Sequence, residues 1–361
     1  MVKSAYIHIP FCRQKCKYCS FVSFTKNELA EKYIKSLLTE IKARYNGEKL
    51  KTLYFGGGTP SILNTDNFEK IISQFNFEEN PEITVEVNPE FLTYGYLKSL
   101  YETGINRIST GVQSFDDGIL SEIGRKHTSE EAVKAVELSK KAGFSNISID
   151  LIYGLPKQTH EIFLKSLETA VSLDIQHISS YGLKIDRGSY YYNNMPKNLP
   201  DNDVQADMYE EMVNFLENNG FNNYEISNFA KNGFESKHNL NYWNAEEYYG
   251  FGCASCGYEN KTRYSHTKNP EEYIENPLKL TEKEVLTKQN LLEEYIFLGL
   301  RKKQGINISE INKKFDIDFS SKYGFILQKY ENYFEKRGNF LNFNLNGFLI
   351  SNIILSEFIE A

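Results

Sequence analysis

Cys12, Cys16 and Cys19 stand in the segment Cys12-Arg-Gln-Lys-Cys16-Lys-Tyr-Cys19, three thiols within eight residues. The next cysteines are Cys253 and Cys256, so the five are not scattered as small core residues would be. Thiolates favour soft metal centres, and three on one short loop suit a four-iron cube with one iron unclaimed by protein. Zinc is the competing occupant, but a closed structural site needs a fourth Cys or His at matching spacing. His8 is the nearest candidate, and it falls within the apolar run AYIHIPF, a predicted strand. Lys15 and Lys17 would suit an anionic cluster. An odd cysteine count behind MVKSAYIHIPFCRQKC, which has no apolar signal core, is a poor disulfide framework and points to a reducing, cytoplasmic setting.

Other chemistry-bearing residues fall at the ends of predicted strands. Gly56-Gly57-Gly58-Thr59-Pro60 follows Phe55, and successive glycines let backbone approach a ligand. Glu86 in TVEVNPE and Asp150 in SIDLIYGLP are acids inside apolar runs, costly unless paired. Gln113 in GVQSF offers both a donor and an acceptor. Arg125 in IGRKHT is one of eight arginines and is built to grip a carboxylate. Tyr6 and Tyr18 flank the cysteine loop. Further on, His238-Asn239-Leu240-Asn241-Tyr242-Trp243 holds the single tryptophan. Cys253-Ala-Ser-Cys256 reads as two small packing residues.

The elements that must position these groups alternate. Strands are expected at 5–9, 52–55, 83–87, 105–109, 147–152 and 177–181. Between the first two, Leu29, Tyr33, Ile34, Leu37, Leu38 and Ile41 share one helix face. Thr128-Ser-Glu-Glu131 has capping-box form and opens a helix ending at Gly143. Other helices are expected at 67–74, 92–102 and 162–173. Such alternation implies parallel strands joined by right-handed crossovers, with chemistry at the C-terminal strand ends. Past residue 200 the rhythm changes: helices at 204–219, 291–302, 309–315, 322–336 and 348–359 surround a hairpin-like NFLNFNLNG. The expected division is residues 1–200 as barrel, 201–280 as a linking segment carrying HNLNYW, and 281–361 as a mainly helical, winged-helix-like domain.

At 361 residues, net charge −7 and 40% hydrophobic residues, the chain can bury a sizeable core and is not disordered as a whole. No stretch reaches the ~18 apolar residues of a membrane span. Eleven basic and eleven acidic residues over 281–361 leave no cationic excess for nucleic acid.

YIHIPFCRQKCKYCSF resembles the cluster loop of radical S-adenosylmethionine (SAM) enzymes. The resemblance implies an α/β fold, a partial (β/α)6 TIM-like barrel, with a [4Fe-4S] cluster on Cys12, Cys16 and Cys19 whose open iron is chelated by SAM. It also implies SAM contacts at Gly57, Gly58, Thr59, Glu86, Gln113, Arg125 and Asp150, with Tyr6 and Tyr18 over the adenine or the cluster. An external electron donor would drive reductive cleavage of the sulfonium to a hydrogen-abstracting radical. GGGTPS, INRISTGVQSFDD, IDLIYGLPKQT and YEISNFA extend the likeness to oxygen-independent coproporphyrinogen III oxidases over nearly the whole length. Phe21 stands where that oxidase has an additional cysteine, and the oxidase's N-terminal extension precedes no cluster loop here. Both departures resemble the HemW-type subgroup, regarded as haem chaperones. That likeness implies haem contacts at His238, Tyr242 and Trp243 and transfer of haem to acceptor proteins. Anaerobic decarboxylation of coproporphyrinogen, or SAM-dependent methylation of a tetrapyrrole, are the alternatives.

Overall fold

Two-residue periodicity organises the molecule. The computed structural model describes residues 1–90 and 92–359, so the last two positions of the expected C-terminal domain lie outside the described residues. β1 (Ser4–Ile9), β2 (Lys49–Gly57), β3 (Asn76–Val87), β4 (Arg107–Gln113), β5 (Ile147–Tyr153) and β6 (His177–Gly182) pair in sequence order, all parallel. Along them Ile7, Leu53, Phe55, Ile83, Val85, Ile108, Ile147, Ile149 and Ile178 are buried. They point outward beneath the crossover helices, since alternate residues face opposite sides of a strand. Burying each such side chain contributes about 1.5–3 kcal/mol. The intervening residues face the lumen, and these are polar: Tyr6, Tyr54, Thr84, Glu86, Arg107, Ser109, Asp150 and Ser179. Branched apolar residues usually fill a closed barrel; here the interior is lined with hydrogen-bonding groups.

Six helices return the chain across the outside: Ala30–Arg44, Thr65–Ile72, Tyr94–Glu102, Ser129–Ala142, His160–Ser172 and Asn202–Asn218. The Thr128 capping box forms, and Gly143 ends its helix at φ 113°. In the first helix Tyr33, Ile34, Leu37 and Ile41 are buried, together with one acid, Glu40. Glu40 accepts from Tyr273 Oη (2.6 Å), the Gly252 amide (2.9 Å) and Arg44 Nη1 (2.9 Å), and lies 2.8 Å from His266 Nε2.

The stretch expected to be a linker extends the sheet. β7 (Asn222–Glu225) and β8 (Asn228–Ala230) continue antiparallel beyond β6, and β9 (Tyr249–Phe251) pairs parallel with β1 on the far edge. The result is a nine-stranded, open barrel sheet. A separate antiparallel sheet follows: β10 (Cys256–Glu259), β11 (Thr262–His266) and β12 (Leu280–Val285).

The C-terminal part places helices Lys288–Gly299, Ile308–Phe315 and Phe319–Lys329 beside a small sheet of β13 (Ile306–Asn307), β14 (Phe334–Arg337) and β15 (Phe340–Phe343), a winged-helix arrangement. The helix expected at 322–336 stops at Lys329, because the next residues form the first arm of the wing. The final helix expected at 348–359 is two short ones, Leu345–Leu349 and Ser351–Ser356. Ile296, Ile311, Phe319 and Phe343 belong to the same buried cluster as the barrel core. Among the described residues no helix is long and apolar enough to cross a membrane.

Candidate functional site

β1 ends at Ile9, and the cysteine loop begins there. The loop is closed by the Cys12 amide on Phe24 O (2.8 Å) and the Phe24 amide on Pro10 O (2.7 Å). It docks on the turn before Arg125 through the Lys17 amide to Ile123 O (3.1 Å) and Gln14 Nε2 to Gly124 O (2.8 Å). Cys12, Cys16 and Cys19 are all partly exposed. Burial raises the thiols of Cys12 and Cys19 above their ordinary value, so a bound metal is what would make them thiolates. Among the described residues no three Cys, His, Asp or Glu side chains form a single-ion site. A tetrahedral zinc ion would draw its sulfurs to within about 2.3 Å of one point, whereas a cube spreads them over separate irons. The donor set, three thiols without a fourth, fits the cube.

A belt of hydrogen bonds joins two of these cysteines. Cys12 Sγ lies 3.4 Å from Thr59 Oγ1, which accepts from Asn88 Nδ2 (3.1 Å). Asn88 Oδ1 in turn accepts from Arg125 Nη2 (2.9 Å), and Arg125 Nη1 reaches Cys16 Sγ at 3.7 Å. Nη2 also donates to Gly111 O, while Nε is buried without a partner. Beside the belt is a cleft of about 420 Å³, lined by Cys16, Thr59, Asn88, Glu90, Tyr96 and Arg125 among others. Burial works to raise the Glu90 carboxyl, but His127 and Arg125 hold it down to about 2.

The glycine loop closes the other side. A Cβ on Gly57 would sit 2.6 Å from the His8 ring, and one on Gly58 would sit 2.6 Å from Phe11 O. The glycines are therefore demanded first by protein packing. The amides of Gly57, Gly58 and Thr59 donate to Glu86 Oε2, Ile9 O and Phe11 O, so residues 57–59 offer a ligand acceptors and no amide donors.

The comparisons with known proteins agree with this architecture. The Radical SAM superfamily model matches residues 6–170, and the HemN C-terminal domain model matches residues 286–347. The haem chaperone HemW of Lactococcus lactis subsp. lactis is 41% identical, over 89% of this chain and 87% of that protein. This chain belongs to the HemW family. HemW of Bacillus subtilis is 39% identical, over 87% of each chain. Coproporphyrinogen III oxidase (HemN) from Escherichia coli, described as a radical SAM enzyme, shares the fold with a TM-score of 0.87 at 22% identity, covering 99% of this chain and 90% of that one.

In this HemW-family chain the expected residues separate into two sets. Cys16, Thr59 and Arg125 line the cleft, whereas Tyr6, Glu86 and Asp150 face the lumen. Gln113 ends β4 at φ 72°, a conformation uncommon outside glycine and often kept at functional sites. Tyr6 Oη bonds His8 Nδ1 (3.0 Å), and Tyr18 packs against Ile119, Leu120, Ile123, Ile152 and Leu155. His8 is buried, and its Nε2 contacts Val22 O (3.2 Å). Glu86 accepts from Tyr54 Oη (2.9 Å) as well as from Gly57. Burial, with Asp150 adding to it, raises the Glu86 carboxyl from 4.5 to about 7.

The folded protein thus holds a proton on Glu86 that the unfolded chain has released. Its stabilising contribution is complete below pH 4.5 and is lost as pH rises to about 7. Urea unfolding across that window should show stability falling, by up to about 3 kcal/mol from this group. Glu86→Gln should flatten that part of the slope; an unchanged slope would contradict the assignment.

HNLNYW departs from expectation. Helix Lys237–Trp243 lies at the opposite, N-terminal end of the barrel, its His238 amide held by Glu82 (3.0 Å). His238 is buried with Nδ1 on Thr52 Oγ1 (2.7 Å) and Nε2 on Tyr242 Oη (2.8 Å), and burial lowers its pKa to about 3. Both ring nitrogens are occupied, so an axial-ligand role is not available in this conformation. Trp243 lies beside Arg301, 6.0 Å from ring centroid to guanidinium. Cys253 packs as expected, donating to Thr267 O (3.1 Å), but Cys256 is exposed and is not a packing residue. Asn88 and Glu90 were not singled out from the sequence, although NPE directly follows the Glu86 strand.

Proposed function

We propose that this chain binds a [4Fe-4S] cluster, SAM and haem, and passes haem to acceptor proteins. The observation that carries the reading is the 41% identity with a haem chaperone over nearly the full length of both chains. Cys12, Cys16 and Cys19 would hold the cluster. When bound, cluster and SAM supply one-electron chemistry at the sulfonium, with the electron coming from an external donor.

The protein's own part is positional. Arg125, which lines the cleft, can receive a carboxylate, and the acceptors of 57–59 suit an ammonium. Glu86, Gln113 and Asp150 would border the nucleoside end, with Tyr6 and Tyr18 packing around it. We assign residues 1–200 to the barrel, 201–280 to the segment that completes it and 281–361 to a partner-facing winged-helix-like domain. The free thiols support a cytoplasmic setting, and the balanced charge of the last segment supports a partner other than nucleic acid.

Anaerobic reconstitution, then separate incubation with haem and with coproporphyrinogen plus SAM and reductant, tests the reading. Stoichiometric haem uptake and transfer to an apo-acceptor, with the porphyrinogen unchanged, is the expected result. Protoporphyrinogen among the products would replace it with an oxidase, and S-adenosylhomocysteine with a methyltransferase.

A further inference from the structure

At the heart of the lumen is a guanidinium without a hydrogen-bond partner. Arg107 opens β4 and is 2% exposed, among the largest fully enclosed side chains. It makes no hydrogen bond and no direct ion pair among the described residues, its Nε is completely enclosed, and the carboxyl groups of Glu86 and Asp150 act on it only through longer-range charge. Thr84, register partner of Arg107 on β3, also has a buried hydroxyl with no partner. Burying a polar group without a hydrogen bond is unfavourable, so two such groups at paired positions mark a place prepared for a ligand.

The groups around Arg107 are committed elsewhere. Glu86 takes Tyr54 and Gly57, and Asp150 takes Ser109 Oγ (3.1 Å). His177 is held between Ser148 Oγ (2.8 Å) and Tyr224 Oη (2.8 Å), and His238 between Thr52 and Tyr242. Burial and the Arg107 charge keep both histidines neutral. The lumen carries partly exposed aromatic rings, Tyr6 and Tyr54, 6.1 Å apart and in register with Thr84 and Arg107, and the exposed Tyr181. A planar guanidinium in one row with aromatic faces matches a flat apolar molecule bearing a carboxylate. Arg125, beside Cys16, already serves the cleft.

Resting on the haem reading above, we propose that Arg107 is the anchor for a propionate carboxylate of the bound tetrapyrrole, with the Thr84 hydroxyl as a second donor. A carboxylate could also come from SAM, and the test separates the two sources.

Equilibrium titrations would compare haem, haem dimethyl ester and SAM on the reconstituted wild-type protein and on R107Q. The wild type should bind haem roughly 10–100-fold more tightly than the ester, the range of a charge-assisted pair. R107Q should bind both forms alike, with SAM affinity unchanged. Equal wild-type affinity for haem and ester overturns the proposal without recourse to any variant. Equal weakening of both haem forms in R107Q, or loss of SAM affinity in its place, overturns it too and leaves the chaperone reading standing. Failure of the wild type to take up either haem form would remove that reading and this proposal together.

Discussion

Cys16→Ala should yield a colourless protein after anaerobic reconstitution. Cys16 is the middle thiol of the loop and the end of the belt that runs through Thr59, Asn88 and Arg125. Its loss leaves two thiols for the cluster and takes away the partner of Arg125 Nη1. Even an outer partner of a metal ligand is worth 10–100-fold in affinity, so iron retained after desalting should fall by at least about 10-fold. The loop itself is closed by backbone bonds at Cys12 and Phe24, and circular dichroism should remain that of the parent. Cys256→Ser supplies the control, because that thiol is exposed and stands outside the Cys12–Cys19 segment. Iron and sulfide counts equal to the wild type in Cys16→Ala would end the cluster assignment.

Glu40→Ala should lower stability by about 3–5 kcal/mol, the cost of removing one partner from a buried ionic set. Four donors converge on this fully enclosed carboxylate, from Arg44, His266, Tyr273 and the Gly252 amide. Alanine takes the carboxylate from all four, Arg44 alone keeping a second one in Glu259, and opens a gap between the first helix and the strands after β9. Urea unfolding monitored by fluorescence checks this, with the exposed Glu69→Ala expected to stay within about 0.5 kcal/mol of the parent. A Glu40→Ala protein as stable as Glu69→Ala would show that the carboxylate holds nothing together.

The six parallel strands were legible because most lumen residues stand between apolar, outward-pointing neighbours, as in Ile83-Thr84-Val85-Glu86. Cysteine spacing and the Thr128 cap carry their meaning locally. β7, β8 and β9 did not declare themselves: three or four residues long and partly polar, they are strands through pairing with β6 and β1. The wing was misread as helix because 330–337 contains no Gly or Pro, and its pairing partner lies across the turn at Gly338. Glu40 had left a trace, lying three residues after Leu37 and seven after Tyr33 on the buried stripe. Arg107 left less, since nothing in INRIS distinguishes a lumen guanidinium from a solvated one. The fate of His238 depended on Thr52, a contact 186 positions away.

β1 is hydrogen-bonded to β2 on one side and to β9 on the other, Ala5 to Tyr249 and Ile7 to Phe251. During synthesis the strand that launches the cysteine loop leaves the ribosome first, yet one of its flanks is translated more than two hundred residues later. Parallel pairing over such a span is slow to form, and domains settle only as their parts become available. A nascent chain arrested before Phe251 would therefore present all three thiols on an unfinished edge. Delivery of iron and sulfide belongs after translation, once the last strand has come home.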